Sequence, residues 1–183
     1  MGNMFYRAIR AAMFRRWIYR ESSEDPETIL KSLGLVAFSA ISLSLGLMNV
    51  VEEGIAQPEL MSVVDRLVSV WLVIVVSLLG WIMWAAVVYL VGAKFLGGNA
   101  NYHQVLRVLG ICYGPGFLFL FISVPLLGFF AFMGGLVWVL VSGIIGIREV
   151  LQIDWVAAVL ATTIGWALFA VILPFTIVLP NVN

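Results

Sequence analysis

Residues 108–147 form an uninterrupted stretch of forty residues without a single charged side chain. A single α-helix of that length would extend about 60 Å, twice the roughly 30 Å hydrocarbon thickness of a bilayer. The stretch therefore reads as two membrane-crossing helices joined by a reversal. "SVPLLG" at 123–128, with Pro125 and Gly128, supplies the turn chemistry.

The rest of the chain fits the same solvent. Hydrophobic residues make up 63% of its 183 residues and charged residues 11%, against roughly 45–50% and about 25% in soluble domains. Further apolar stretches lie at about 33–51, 67–92 and 156–179. With about 106–123 and 128–147 they predict an all-α, polytopic membrane protein of five transmembrane helices. Pro115 is expected to break the third span early, and Pro174 to kink or end the fifth. Residues 1–31 read as a cytoplasmic basic juxtamembrane segment and 32–183 as the transmembrane domain. No cleavable leader pattern is evident in the first thirty residues.

Basic residues set the orientation. With the N-terminus inside, Arg7, Arg10, Arg15, Arg16, Arg20, Lys31, Lys94, Arg107 and Arg148 are cytoplasmic and Arg66 alone is outside. This bias predicts a cytoplasmic N-terminus and an external C-terminus. The arginines of residues 4–19 do not gather on one helical face, so the segment reads as basic and attracted to anionic lipid rather than as a dedicated interfacial helix. In "SSEDPETIL", Asp25 is expected to cap a helix, with Pro26 at its first position and Glu27 complementing its positive end.

The two inner loops collect most of the remaining polar residues. "KFLGGNANYHQVLRV" contributes Gly97, Gly98, Tyr102, His103 and Arg107, and "GIREVLQIDW" contributes Arg148, Glu149 and Asp154. Together they form a candidate cytoplasmic interaction face. Arg107 and Glu149, returned to one membrane surface by the intervening hairpin, are expected to pair. Gly110, Gly114, Pro115, Ser142 and Gly146 are candidate helix-packing positions, on small-xxx-small spacings.

Composition also excludes functions. Ten basic and ten acidic residues cancel, leaving no charge excess for nucleic acid. One histidine and one cysteine cannot make a three- or four-ligand zinc site. His103 reads as a solvated loop residue and Cys112 as an inert core thiol. The Gly97–Gly98 stretch lacks the phosphate-loop pattern. No catalytic set is readable, so no enzyme activity, metal or cofactor is expected.

"YLVGAKFLGGNANYHQVLRVLGICYGPGFL", followed later by "GIIGIREVLQIDWVAAVLAT", resembles prokaryotic members of the Yip family of Ypt/Rab-interacting membrane proteins. Gly97, Gly98, Gly110, Tyr113, Pro115, Gly146, Arg148 and Glu149 occupy the places of that family's motifs. The resemblance covers roughly residue 26 to the C-terminus. It implies a multi-pass protein of a prokaryotic cytoplasmic membrane. Eukaryotic members are linked to small GTPases and vesicle traffic, so a GTPase partner enters by family analogy alone. The expected role is a non-enzymatic scaffold or adaptor, in contact with the lipid bilayer and with a membrane or cytoplasmic protein. The alternative is a small transporter or channel with a path beside the broken third helix. A water-filled cavity reaching Asn49, Thr162 or Thr163 would mark that alternative.

Overall fold

A computed structural model of the chain describes the backbone of residues 10–11, 13–54 and 63–178, and the side chains of 10–11, 13–48 and 67–167. Arg7 and Glu59, and the side chains of Asn49, Glu52, Glu53, Asp65 and Arg66, lie outside the described residues. The described elements are helical: α1 (Arg16–Glu24), α2 (Thr28–Gly54), α3 (Val63–Val88) continuing into a π-helix (Tyr89–Phe95), α4 (Tyr102–Ile111), a 3-10 helix (Gly114–Phe121), α5 (Leu127–Leu151) and α6 (Trp155–Val178). Four segments are long and apolar enough to cross a membrane: Thr28–Met48, Leu67–Phe95, Tyr102–Phe121 and Leu127–Leu151. A fifth apolar stretch, Trp155–Ala167, is shorter and belongs to α6, which runs on through Pro174.

The third segment sits at the centre. α4 contacts α1, α2, α3 and α5, and its 3-10 continuation packs on α2 and α5. Val105, Leu106, Val108, Leu109, Gly110 and Ile111 are all buried, so the helix is enclosed by its neighbours except where Tyr102, His103, Gln104 and Arg107 reach its edge. α4 stops at Ile111, four residues before Pro115. A proline ring clashes with the carbonyl four positions back, which ends the α-geometry there. The chain resumes as the tighter 3-10 coil with Pro115 in its first turn, as the sequence anticipated. The outer helices instead expose large apolar side chains, including Leu67, Trp71, Val75 and Leu79 on α3 and Phe129, Phe130 and Val137 on α5. That outward apolar surface is what a helix facing lipid requires.

Small polar residues stitch α2 to this central segment. Ser32 Oγ donates to the Arg107 carbonyl at 2.7 Å, and Gly110 faces Ser32 so closely that an added Cβ would lie 2.8 Å from its Oγ. Gly116 meets Ser39, and Gly46 meets the carbonyl of Phe119. Positions 32, 39 and 46 recur every seven residues and therefore share one face of α2. Where lipid offers no hydrogen bonds, close backbone approach and an internal donor for an exposed carbonyl hold helices together.

The core centres on Trp84, which is 1% exposed. Its indole N–H donates to the Thr162 carbonyl at 3.0 Å, and its ring meets Tyr113 edge-on at 6.0 Å. Trp81 donates likewise to the Leu106 carbonyl at 3.0 Å. α3 is thus tied by indole donors to both α4 and α6. Asp25 leads into α2, accepting from the Glu27 N–H at 3.0 Å and the Thr28 hydroxyl at 3.3 Å, but Pro26 and Glu27 form a turn and the helix begins at Thr28 rather than at Pro26.

The helix that precedes α2 is built into the bundle. α1 buries Ile18, Tyr19, Ser22 and Ser23 against α4 and α5 and turns Arg16, Trp17, Arg20, Glu21 and Glu24 outward. Residues 4–19 are the wrong window in which to seek its amphipathic face. The helix starts at Arg16, after Phe14 takes a left-handed conformation with φ of 56° and stacks on Trp138 at 6.2 Å. Tyr19 anchors the segment. Its hydroxyl donates to the Ala11 carbonyl at 2.7 Å and lies 2.8 Å from Ser142 Oγ. The tyrosine proton being committed to Ala11, Ser142 is the donor in the second bond. Burial pushes the Tyr19 phenol above its ordinary pKa, so it remains a neutral donor. Tyr19→Phe should cost about 1–3 kcal/mol, because Ser142 and the Ala11 carbonyl lose their partner. A melting curve of the purified protein, unchanged in that variant, would show the hydroxyl bonds to be dispensable.

Candidate functional site

A polar cleft of about 610 Å³ opens where the end of α1 meets the start of α4, lined by Ser23, Glu24, Asn101, Tyr102, His103, Gln104 and Arg107. α4 begins there because Asn101 is extended and its N–H is taken by Gln104 Oε1 at 2.8 Å. That reciprocal bond satisfies one of the free donors at a helix start. Exposed His103 and half-buried Tyr102 follow. The Tyr102 ring meets Tyr89 at 6.0 Å and His103 at 5.7 Å, both edge-on, and its hydroxyl donates to the Ile82 carbonyl at 3.3 Å.

Arg107 closes the cleft floor differently from the expectation. Its Nη1 donates to the Ser23 carbonyl at 2.8 Å. Among the described residues no ion pair joins it to Glu149. The reason is local. The last carbonyls of α1 have no partner within their own helix and carry its negative dipole end, so a cation beside them is favoured.

The other expected face residues are placed elsewhere. Gly97 takes a φ of +73°, which glycine adopts without the Cβ clash other residues suffer, and so ends the π-helix. The Gly98 and Asn99 N–H groups then donate to the Gly92 and Leu151 carbonyls, both at 2.9 Å, seating this loop on the end of α5. Asp154 caps α6, accepting from the Val156 and Ala157 N–H groups at 3.3 Å. Arg148 lies over the Trp155 ring, 4.4 Å from its centre, and Glu149 is half-buried. Tyr102, His103 and Arg107 thus converge, whereas Arg148 and Asp154 belong to a second locus at the α5–α6 corner.

Of the packing candidates, Gly110 faces Ser32 and Gly146 faces Val108 and Tyr19. Ser142 bonds Tyr19, while Gly114 and Pro115 open the 3-10 helix. Each contact lies within the chain. Cys112 is buried, with its thiol against the Val108 carbonyl at 3.1 Å.

Sequence reasoning missed Ser23 and Glu24 as cleft residues. The face that carries Ser23 inward, Ile18, Tyr19, Ser22 and Ser23, is too mixed in polarity to stand out as an apolar stripe, so the sequence held no clear signal for it. Among the described residues no group of three His, Cys, Asp or Glu side chains could hold a metal ion.

Comparison with curated proteins and with solved structures gives no match. A family model, the Yip1 domain, matches residues 11–176, from the segment that packs beneath Tyr19 to the last turns of α6. With nearly the whole chain matched and several apolar helices of membrane-crossing length, this multi-pass membrane protein belongs to the Yip1 domain family.

Proposed function

We propose that this protein is a non-enzymatic membrane adaptor that engages a membrane or cytoplasmic protein partner through the cleft between α1 and α4. The observation that carries the reading is the convergence of Tyr102, His103 and Arg107 with the end of α1 in one open cleft. Thr162, a marker for a transport path, is buried, with its carbonyl accepting from Trp84 and its hydroxyl without a partner among the described residues, and Thr163 is exposed on the outer face of α6. In this reading α6 is the fifth span, the N-terminus and the cleft face the cytoplasm, and the host is a prokaryotic cytoplasmic membrane. The nine-to-one distribution of basic residues supports that sidedness. A GTPase partner rests on family analogy alone.

Two measurements test it. In a Cys112→Ser background, a single cysteine at His103 should react with a membrane-impermeant maleimide only after cells are permeabilised. A photo-crosslinking residue at His103 should give a discrete protein adduct that weakens at least about fivefold when Tyr102→Ala is added, the loss of one well-placed aromatic contact. The same crosslinker at Leu126, 94% exposed at the opposite end of α5, should not give that adduct. Labelling without permeabilisation would reverse the orientation, and adducts from Leu126 alone would overturn the cleft as the docking site.

A further inference from the structure

Three separate elements bring two arginines to one tryptophan. Arg16 opens α1, Arg148 lies in the last turn of α5, and Trp155 opens α6. The guanidinium carbons lie 5.9 and 4.4 Å from the centre of the Trp155 ring. Neither arginine has an ion-pair partner among the described residues. The nearby carboxylate of Asp154 is occupied by the backbone N–H groups of Val156 and Ala157. Arg148 Nε is buried without an acceptor. Two like charges held at one ring repel each other unless an anion joins them.

The position of the cluster identifies that anion. Arg148 is three residues from the end of the apolar segment Leu127–Leu151, the level at which a bilayer passes from acyl chains to headgroups. An indole is favoured at that level and arginine side chains reach it from either side. Next to the cluster in sequence, Val156, Val159 and Leu160 are exposed at 67%, 41% and 49%. An apolar wall therefore continues directly from the charged ring.

We propose that Arg16, Arg148 and Trp155 bind the phosphodiester headgroup of an anionic phospholipid, whose acyl chains lie along the outer face of α6. A phosphodiester has two non-bridging oxygens that share one negative charge. Each can accept from one guanidinium fork, a geometry that arginine matches and lysine does not. The Trp155 ring holds the forks in place by stacking and cation–π attraction. The site is independent of the cleft at Arg107 and of which side of the membrane it faces.

The test uses the full-length protein in nanodiscs of phosphatidylcholine with increasing phosphatidylglycerol, read by native mass spectrometry of retained lipid. The wild-type protein should retain phosphatidylglycerol preferentially. Arg16→Gln with Arg148→Gln should weaken that preference at least about tenfold, from the loss of two charges at the headgroup level. Arg15→Gln with Arg20→Gln, which removes two other arginines of the same segment, should leave it within about twofold. Should the first pair aggregate, Arg16→Gln alone, on the exposed face of α1, should still weaken it about threefold. Equal losses in both pairs would reduce the effect to general charge and overturn the site. Displacement of the lipid by millimolar inorganic phosphate would assign the site to a soluble phosphate instead and overturn the lipid assignment.

Discussion

Trp84→Ala should lower the stability of the purified protein by about 3–5 kcal/mol, the range for deleting a large aromatic from a packed core. Trp84 is 1% exposed. Its removal also frees the Thr162 carbonyl, which accepts the indole N–H at 3.0 Å, where no water is available to replace it. Against a total stability of roughly 5–15 kcal/mol, such a loss should appear as aggregation on gel filtration in detergent. Trp71 lies on the same helix and is 66% exposed. Trp71→Ala should leave the elution profile intact, because lipid fills the space. Equal losses in the two variants would show that Trp84 is not the keystone of the α3–α6 contact.

The second large effect is expected at the seam between α2 and the central segment. In Gly110→Ala the new Cβ would stand 3.0 Å from Ser32 Cα as well as 2.8 Å from its Oγ, so α2 itself must move. Overpacking typically costs about 1–3 kcal/mol, and the hydrogen bond from Ser32 to the Arg107 carbonyl is lost with the displacement, adding about 1–3 kcal/mol. Ser32→Gly should be harmful alone and should partly rescue Gly110→Ala. The readout is a double-mutant cycle of melting temperatures, with a coupling of at least about 0.5 kcal/mol in the rescuing direction. Additive losses would mean that the two residues do not oppose one another. A Cβ added at Gly134 would meet nothing within 4 Å, and Gly134→Ala should be neutral or slightly stabilising.

The parts of this fold legible in the sequence are those governed by a side chain's own chemistry. The uncharged stretch forced a hairpin, Pro115 announced the break in the third span, and Asp25 announced the start of α2. The illegible parts depend on backbone groups. Arg107 carries a charge for which the only partners visible in a sequence are carboxylates, yet the carbonyl of Ser23 takes it. The docking of α1 was hidden for a related reason. Its inward face is made of Ile18, Tyr19 and two serines, too mixed to register as an apolar stripe, and it becomes apolar only when Tyr19 is satisfied by Ser142 and Ala11. The heptad of small residues at 32, 39 and 46 was available in the sequence, but small residues declare a close contact without naming what approaches. For the candidate site, Tyr102, His103 and Arg107 were legible as neighbours along one helix start. Their union with Ser23 and Glu24, and the separation of Arg148 and Asp154 into another locus, required the path of α1 across the helix ends.

The anchoring of Tyr19 also imposes an order on biogenesis. Its partner Ser142 is 123 residues further along the chain, so the groove that receives α1 does not exist until α5 has been synthesised. At translation rates of about 5–20 residues per second, the N-terminal helix waits roughly 6–25 s before it can dock. During that interval its Ile18 and Tyr19 face and its arginines lie bare beside the emerging spans. A nascent chain arrested before α5 should therefore be cut by protease within α1, and one released after it should be protected there.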